Sequence, residues 1–167
     1  MNIKDALFQE QSKAQRNNIV NWVGKSSKRF AILFACFVDD NHRLAQYASW
    51  PLSVCVEQHP HLIEPHFTDL LNRLEDPSQH AAIRRNGIRL LQFITIPEAY
   101  QGRVMDICFR FLEHPKSAIA VKAFSIEVLW NLAQIYPEII SEVSQIINMQ
   151  LDTASPAIRN KAKIFLK

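Results

Sequence analysis

The chain is short of glycine, with only three in 167 residues. Sheet proteins need glycine at turns and bulges, so the scarcity favours helices. Cysteine is also sparse. Cys36, Cys55 and Cys108 are an odd number without paired spacing, which argues against a disulfide framework. They read as buried thiols in a reducing compartment, and a cytoplasmic location is expected. The longest strongly apolar run, 30–38, is far too short to span a bilayer, so no membrane segment is expected. The first ten residues are polar and mixed in charge, unlike the basic-then-apolar layout of a signal peptide. Gly-rich phosphate loops, nucleophile elbows and Cys-x-x-Cys pairs are missing, and no cofactor is expected. Charge of one sign is lacking too. Nineteen basic against sixteen acidic residues leave +3, too mild to imply nucleic acid by itself.

What the chain does have is apolar residues, 48% of the total, enough for a core in one domain spanning 1–167. They recur with a long period. Leu44, Ala48 and Leu52 match Ile83, Gly87 and Leu91, then Val121, Ser125 and Leu129, then Ile158, Ala162 and Leu166. The sets start 39, 38 and 37 residues apart. Positions i, i+4 and i+8 lie on one helix face, and the small central residue lets a second helix come close. Pro60, Pro97 and Pro137 keep a similar beat and precede second helices expected over 61–75, 98–113 and 138–151. Each unit is therefore helix, proline turn, helix and short break. Pro51 is expected to interrupt the first helix of its unit.

The stretch Ser155-Pro156-Ala157-Ile158-Arg159-Asn160-Lys161-Ala162 resembles the first-helix signature of HEAT repeats. Ile83-Arg84 with Gly87, and Val121-Lys122 with Ser125, are similar, and Asp76 before Pro77 suits the family's loop. The Leu44 unit departs, with Ala45 in place of the basic residue. The resemblance covers about residues 41–167. It implies an all-α fold, an α-α superhelix (HEAT-like solenoid) of about four helical hairpins, the last incomplete. Repeats are expected at 41–76, 77–114 and 115–154, with a half-repeat at 155–167. Residues 1–40 are expected to form an atypical capping hairpin of helices 5–23 and 25–38, broken at Gly24. The half-repeat either ends the array or docks on another copy, which would make a homo-oligomer. The resemblance also implies that second helices line a concave layer.

Faces of those second helices suggest a binding role. In 98–113, Tyr100, Val104, Ile107, Cys108 and Phe111 share one stripe, and Met105 and Phe109 fall opposite. In 138–151 the stripe is Ile140, Ser144, Ile147 and Leu151, with Met149 opposite. In 61–75 it is Ile63, Phe67, Leu70, Leu71 and Leu74, with polar residues opposite. Exposed methionine and phenylalanine can mark a partner site, and packing against a neighbouring helix is the plainer alternative. His66, Asp69 and Arg73 recur as Arg103, Asp106 and Arg110 at an offset of 37. Asp-to-Arg at i, i+4 makes a surface pair worth only tenths of a kcal/mol. The leading expectation is a non-enzymatic interaction module or scaffold holding a protein or peptide partner on its concave face. Met105, Phe109 and Met149 would anchor the partner, and Arg73, Arg103 and Arg110 would orient it.

Two alternatives carry weaker signals. Arg84, Arg85 and Arg89 share a helix, and Arg159, Lys161, Lys163 and Lys167 make a basic tail, so nucleic-acid binding of the HEAT-like alkylation-repair glycosylase type is one. Such cations fall on first helices, the layer that the resemblance places outside. A metal-dependent enzyme centred on His59, His61 and His66 is the other. The first two histidines flank a proline, so their side chains are expected to diverge. The His-Glu dipeptides of HEAT-like metal hydroxylases do not occur. Trp22, Trp50 and Trp130 sit in apolar helical context and read as core.

Overall fold

The computed structural model describes residues 1–166, and among them are ten α-helices and no strand. Backbone contacts cluster into two compact units, 1–95 and 96–167. The division falls inside the expected 77–114 repeat, between its two helices.

The first unit holds α1 (Ile3–Gln9), α2 (Lys13–Val23), α3 (Ser27–Phe37), α4 (His42–Gln58), a 3₁₀ segment (Pro60–His66), α5 (Phe67–Glu75) and α6 (Ala81–Leu91). Polar side chains set most helix starts. Asn2, Ser12, Ser26 and Asn41 each accept backbone N–H groups that the first helical turn leaves unpaired. The expected 5–23 helix is accordingly two. Ser12 caps α2, and the buried Gln15 donates from Nε2 to the Ala6 carbonyl at 2.8 Å, which ties α1 to α2. Gly24 ends α2 as expected, with φ of 49°.

Helix α4 is the centre of this unit, packing on α1, α2, α3, the 3₁₀ segment and α6. It continues through Pro51 instead of ending there. A proline inside a helix costs about 3 kcal/mol through one lost hydrogen bond and a ring clash. Ten of the seventeen residues of α4 are buried, and each large apolar side chain contributes about 1.5–3 kcal/mol, so burial outweighs the defect. Pro65 acts differently. The expected 61–75 helix begins as 3₁₀ and becomes α-helical only from Phe67, because Pro65 lacks the N–H that an α-turn there would need. Its stripe is nevertheless buried as expected, from Ile63 and Phe67 to Leu74.

The second unit holds α7 (Glu98–Glu113), α8 (Ile119–Ala133), α9 (Ile139–Gln150), a 3₁₀ segment (Leu151–Thr153) and α10 (Pro156–Ala162). Helix α8 is central, packed on α7, α9 and α10. It is apolar nearly all round, as a helix enclosed on several sides must be. On α9 the buried residues are Ile139, Val143 and Ile147; Ile147 is as expected, while Ile139 and Val143 take the places expected for Ile140 and Ser144. The doublets Ile139-Ile140 and Ile146-Ile147 leave that choice of face open to periodicity. Helix α10 stops at Ala162, earlier than expected. Phe165 then turns back, its ring edge-on to Trp130 at 5.2 Å and its carbonyl accepting from Ser144 Oγ. Lys167, counted in the basic tail, lies outside the described residues.

The four small repeat residues, Ala48, Gly87, Ser125 and Ala162, are all buried. Gly87 shows why. A Cβ built on it would sit 2.6 Å from Leu74 Cδ2, so α6 meets α5 where no side chain fits.

Candidate functional site

Five of the six expected partner-binding residues lie in the second unit. The buried stripe of α7 is Gln101, Val104, Ile107, Cys108 and Leu112. Met105, Phe109 and Arg103 flank it and are half-buried, and Arg110 is exposed. Arg110 Nε donates to the Asp106 carbonyl at 3.5 Å. Met149, near the end of α9, is 87% exposed. Arg73 belongs to the first unit, where its Nη2 donates to the Asp39 carbonyl at 2.7 Å and ties α5 to the end of α3. The Asn41 backbone N–H, with help from Lys4 and Arg73, holds the Asp39 carboxyl below the usual carboxylate range.

The basic residue of each repeat signature has a local task. Arg84 Nη2 donates to the carbonyls of Pro77 and Asp76, which closes the loop before α6. The Asp76 carboxylate braces the same loop by accepting from Ser78 and Gln79, and these hydrogen bonds lower its pKa to about 2. Arg159 repeats the device, with Nε on the Ala154 carbonyl at 3.0 Å and Nη2 on the Asp152 carbonyl at 3.2 Å. Lys122 does not. It reaches forward to Gln150 Oε1 at 2.7 Å, and Gln150 Nε2 donates to the Leu112 carbonyl at 2.9 Å.

Beside that Lys122–Gln150 pair runs a groove of about 630 Å³, the size range of ligand pockets. Its walls include Ile119, Ile146, Met149 and Ile158, and Glu113 stands on its rim. Ile119 is 54% exposed and Lys122 only 8%. Burial pushes the Lys122 pKa below the ordinary lysine value. Of the expected binding residues only Met149 lines this groove; Met105, Phe109, Arg103 and Arg110 do not. Lys122 belongs to the repeat signature, which implies no binding role for it. The available signal was a lysine where Arg84 and Arg159 hold the matching positions.

The other constellations are drawn apart or committed. The rings of His59 and His61 stand 6.3 Å apart, and His66 stacks on Phe34 at 4.4 Å. Among the described residues no group of three or more His, Cys, Asp or Glu is placed to hold a metal ion. Arg89 pairs with Glu57 at 2.6 Å and lies over the Phe93 ring, and Lys161 pairs with Glu127 at 2.7 Å. Each of these cations therefore serves a contact within its own unit. Trp50, read as core, is instead 37% exposed beneath the Arg16 guanidinium. Cys36, Cys55 and Cys108 are free and buried, and burial raises the Cys55 and Cys108 thiols to about 12. No helix among the described residues is long and apolar enough to cross a membrane.

Comparison with known proteins agrees with the hairpin architecture. The family model described as a HEAT repeat domain matches residues 3–167, including the N-terminal helices that the sequence signature did not reach. No significant match occurs among curated proteins or among solved structures. With its repeated small residues buried and the family model spanning nearly every residue, this chain belongs to the HEAT repeat domain family.

Proposed function

We propose that the chain is a non-enzymatic interaction module that binds a partner segment along its second helices, the layer expected to be concave. On the second unit Met105, Phe109 and Met149 supply apolar contact and Arg103 and Arg110 orient acidic groups of the partner; on the first unit Arg73 is the cation offered for that purpose. HEAT repeats are helical-repeat modules that mediate protein interactions, which supports the reading at the level of the family. The observation that carries it is Met149, a large apolar side chain left 87% exposed on a second helix, with exposed Ile119 lining the same groove. Flexible methionine suits a surface that adapts to a partner. A cytoplasmic location fits the three free thiols.

The test is affinity capture with the wild type and with Phe109→Ala combined with Arg110→Ala. Partners held by the wild type should be lost by a double variant whose circular dichroism is unchanged. Unchanged capture would overturn the assigned face. Gel shifts with duplex and single-stranded DNA in a salt series address the nucleic-acid alternative. Binding that weakens steeply with salt would favour it over the peptide reading.

A further inference from the structure

The groove beside Lys122 stands out when the repeats are compared with one another. At the matching positions Arg84 and Arg159 each spend the guanidinium on carbonyls of the preceding loop. The loop before α8 closes without such help. The His114 carbonyl accepts from the Ser117 N–H at 3.1 Å, and His114 Nδ1 accepts from the Lys116 N–H at 3.1 Å. Lys122 is thereby released from the clamping task. An ammonium has three donors, and a single hydrogen bond, to Gln150, is made by this one. Among the described residues no carboxylate comes within ion-pair distance of it. Lys122 is partly desolvated and has no counter-charge, and an arriving carboxylate would supply the one it lacks.

We propose that this groove is a docking site for a peptide segment that carries a carboxylate side chain next to apolar ones. The carboxylate pairs with Lys122, and the neighbouring apolar side chains cover Ile119 and Met149, which are otherwise left to water. Charge complementarity selects this occupant over a purely apolar one. Glu113, exposed on the rim, opposes the carboxylate and limits the affinity. The inference rests on the interaction-module reading but uses a place distinct from the Met105–Phe109 face of α7.

The test follows the methyl signals of Met149, Ile119 and Met105 by NMR during titration with acetyl-Leu-Glu-Leu-Leu-amide and with its glutamine counterpart. The glutamate peptide should shift Met149 and Ile119 saturably, about tenfold more tightly than the glutamine peptide. Lys122→Met, which keeps the aliphatic stem, should abolish that preference. Glu113→Gln, at an exposed position, should tighten the glutamate peptide several-fold and keeps the test valid should Lys122→Met fail to fold. Equal affinity for the two peptides, or no shift at Met149 and Ile119 up to about 10 mM, overturns the groove. Shifts confined to Met105 overturn the groove while leaving the interaction-module reading in place.

Discussion

Replacing Gly87 by alanine puts the close approach of α5 and α6 to a quantitative test. Two effects oppose each other. Alanine favours a helix interior over glycine by about 1 kcal/mol. The added methyl, however, would lie 2.6 Å from Leu74 Cδ2 and 3.3 Å from its Cγ. Leu74 is fully buried, so moving it displaces other core side chains, and overpacking of this kind costs about 1–3 kcal/mol. The net expectation for Gly87→Ala is a loss of about 1 kcal/mol. Leu74→Ala alone should cost about 2–5 kcal/mol through the cavity it leaves. In that background the methyl has room, and Gly87→Ala should stabilise by about 1 kcal/mol. The double-mutant cycle therefore predicts a coupling of about 2 kcal/mol between the two positions, within the range seen for residues in contact. Urea denaturation followed by circular dichroism provides the free energies. Trp130 is the only tryptophan of the second unit, so its fluorescence in a Trp22→Phe, Trp50→Phe background reports that unit separately. The reasoning is refuted if Gly87→Ala is neutral or stabilising while Leu74 is intact.

Two further outcomes follow from titratable groups that packing covers, His66 in part and the cysteines in full. His66 is stacked on Phe34, and burial lowers its pKa from 6.5, against a smaller opposing pull from Asp69. The unfolded chain then binds more protons in the window between the lowered value and 6.5, so stability falls as pH drops through that window. The fall should disappear in His66→Phe, as read from urea midpoints at pH 7 and in the acid window; an unchanged pH dependence would show that His66 contributes nothing to it. Cys55 and Cys108, with pKa values near 12, should resist iodoacetamide at pH 8 in the folded protein and react at once in urea. Labelling of either in the native state, quantified by mass spectrometry, would show that its cover opens.

Most of the repeat was legible because its determinants are local. The bounds of α7 follow from Pro97 and the break at His114, and the small residues Ala48, Gly87, Ser125 and Ala162, all buried, mark a helix face that periodicity alone exposes. Features set by tertiary context were not. The continuity of α4 through Pro51 depends on neighbours packed around it, and the break before Ser12 is completed by Gln15 reaching to Ala6. Pro65, the fifth residue of the expected 61–75 helix, was a readable signal that the stripe pattern masked. Around the candidate site, the half-burial of Met105 and Phe109 and the exposure of Met149 depend on how each helix is rotated. A doublet such as Ile139-Ile140 leaves that rotation undetermined. The groove at Lys122 was hidden for another reason. Its character comes from which acceptor a long side chain reaches, and the repeat pattern records only that the residue is basic.

The guanidinium clamps of Arg84 and Arg159 bear on how such a chain can change. Each grips a connector from the hairpin that follows it, over a reach fixed by side-chain length. Insertions at residues 76–80 or 152–155 would carry the gripped carbonyls out of range, whereas the stretch before α8, held by His114 alone, is free of that tether. Growth or variation in connector length is thus tolerated at one junction and resisted at two. Both the untethered junction, through Pro115 and Ser117, and the clamped one, through Thr153, Ala154 and Ser155, line the groove, so only on the first wall can a change of connector length alter what docks without breaking a guanidinium clamp.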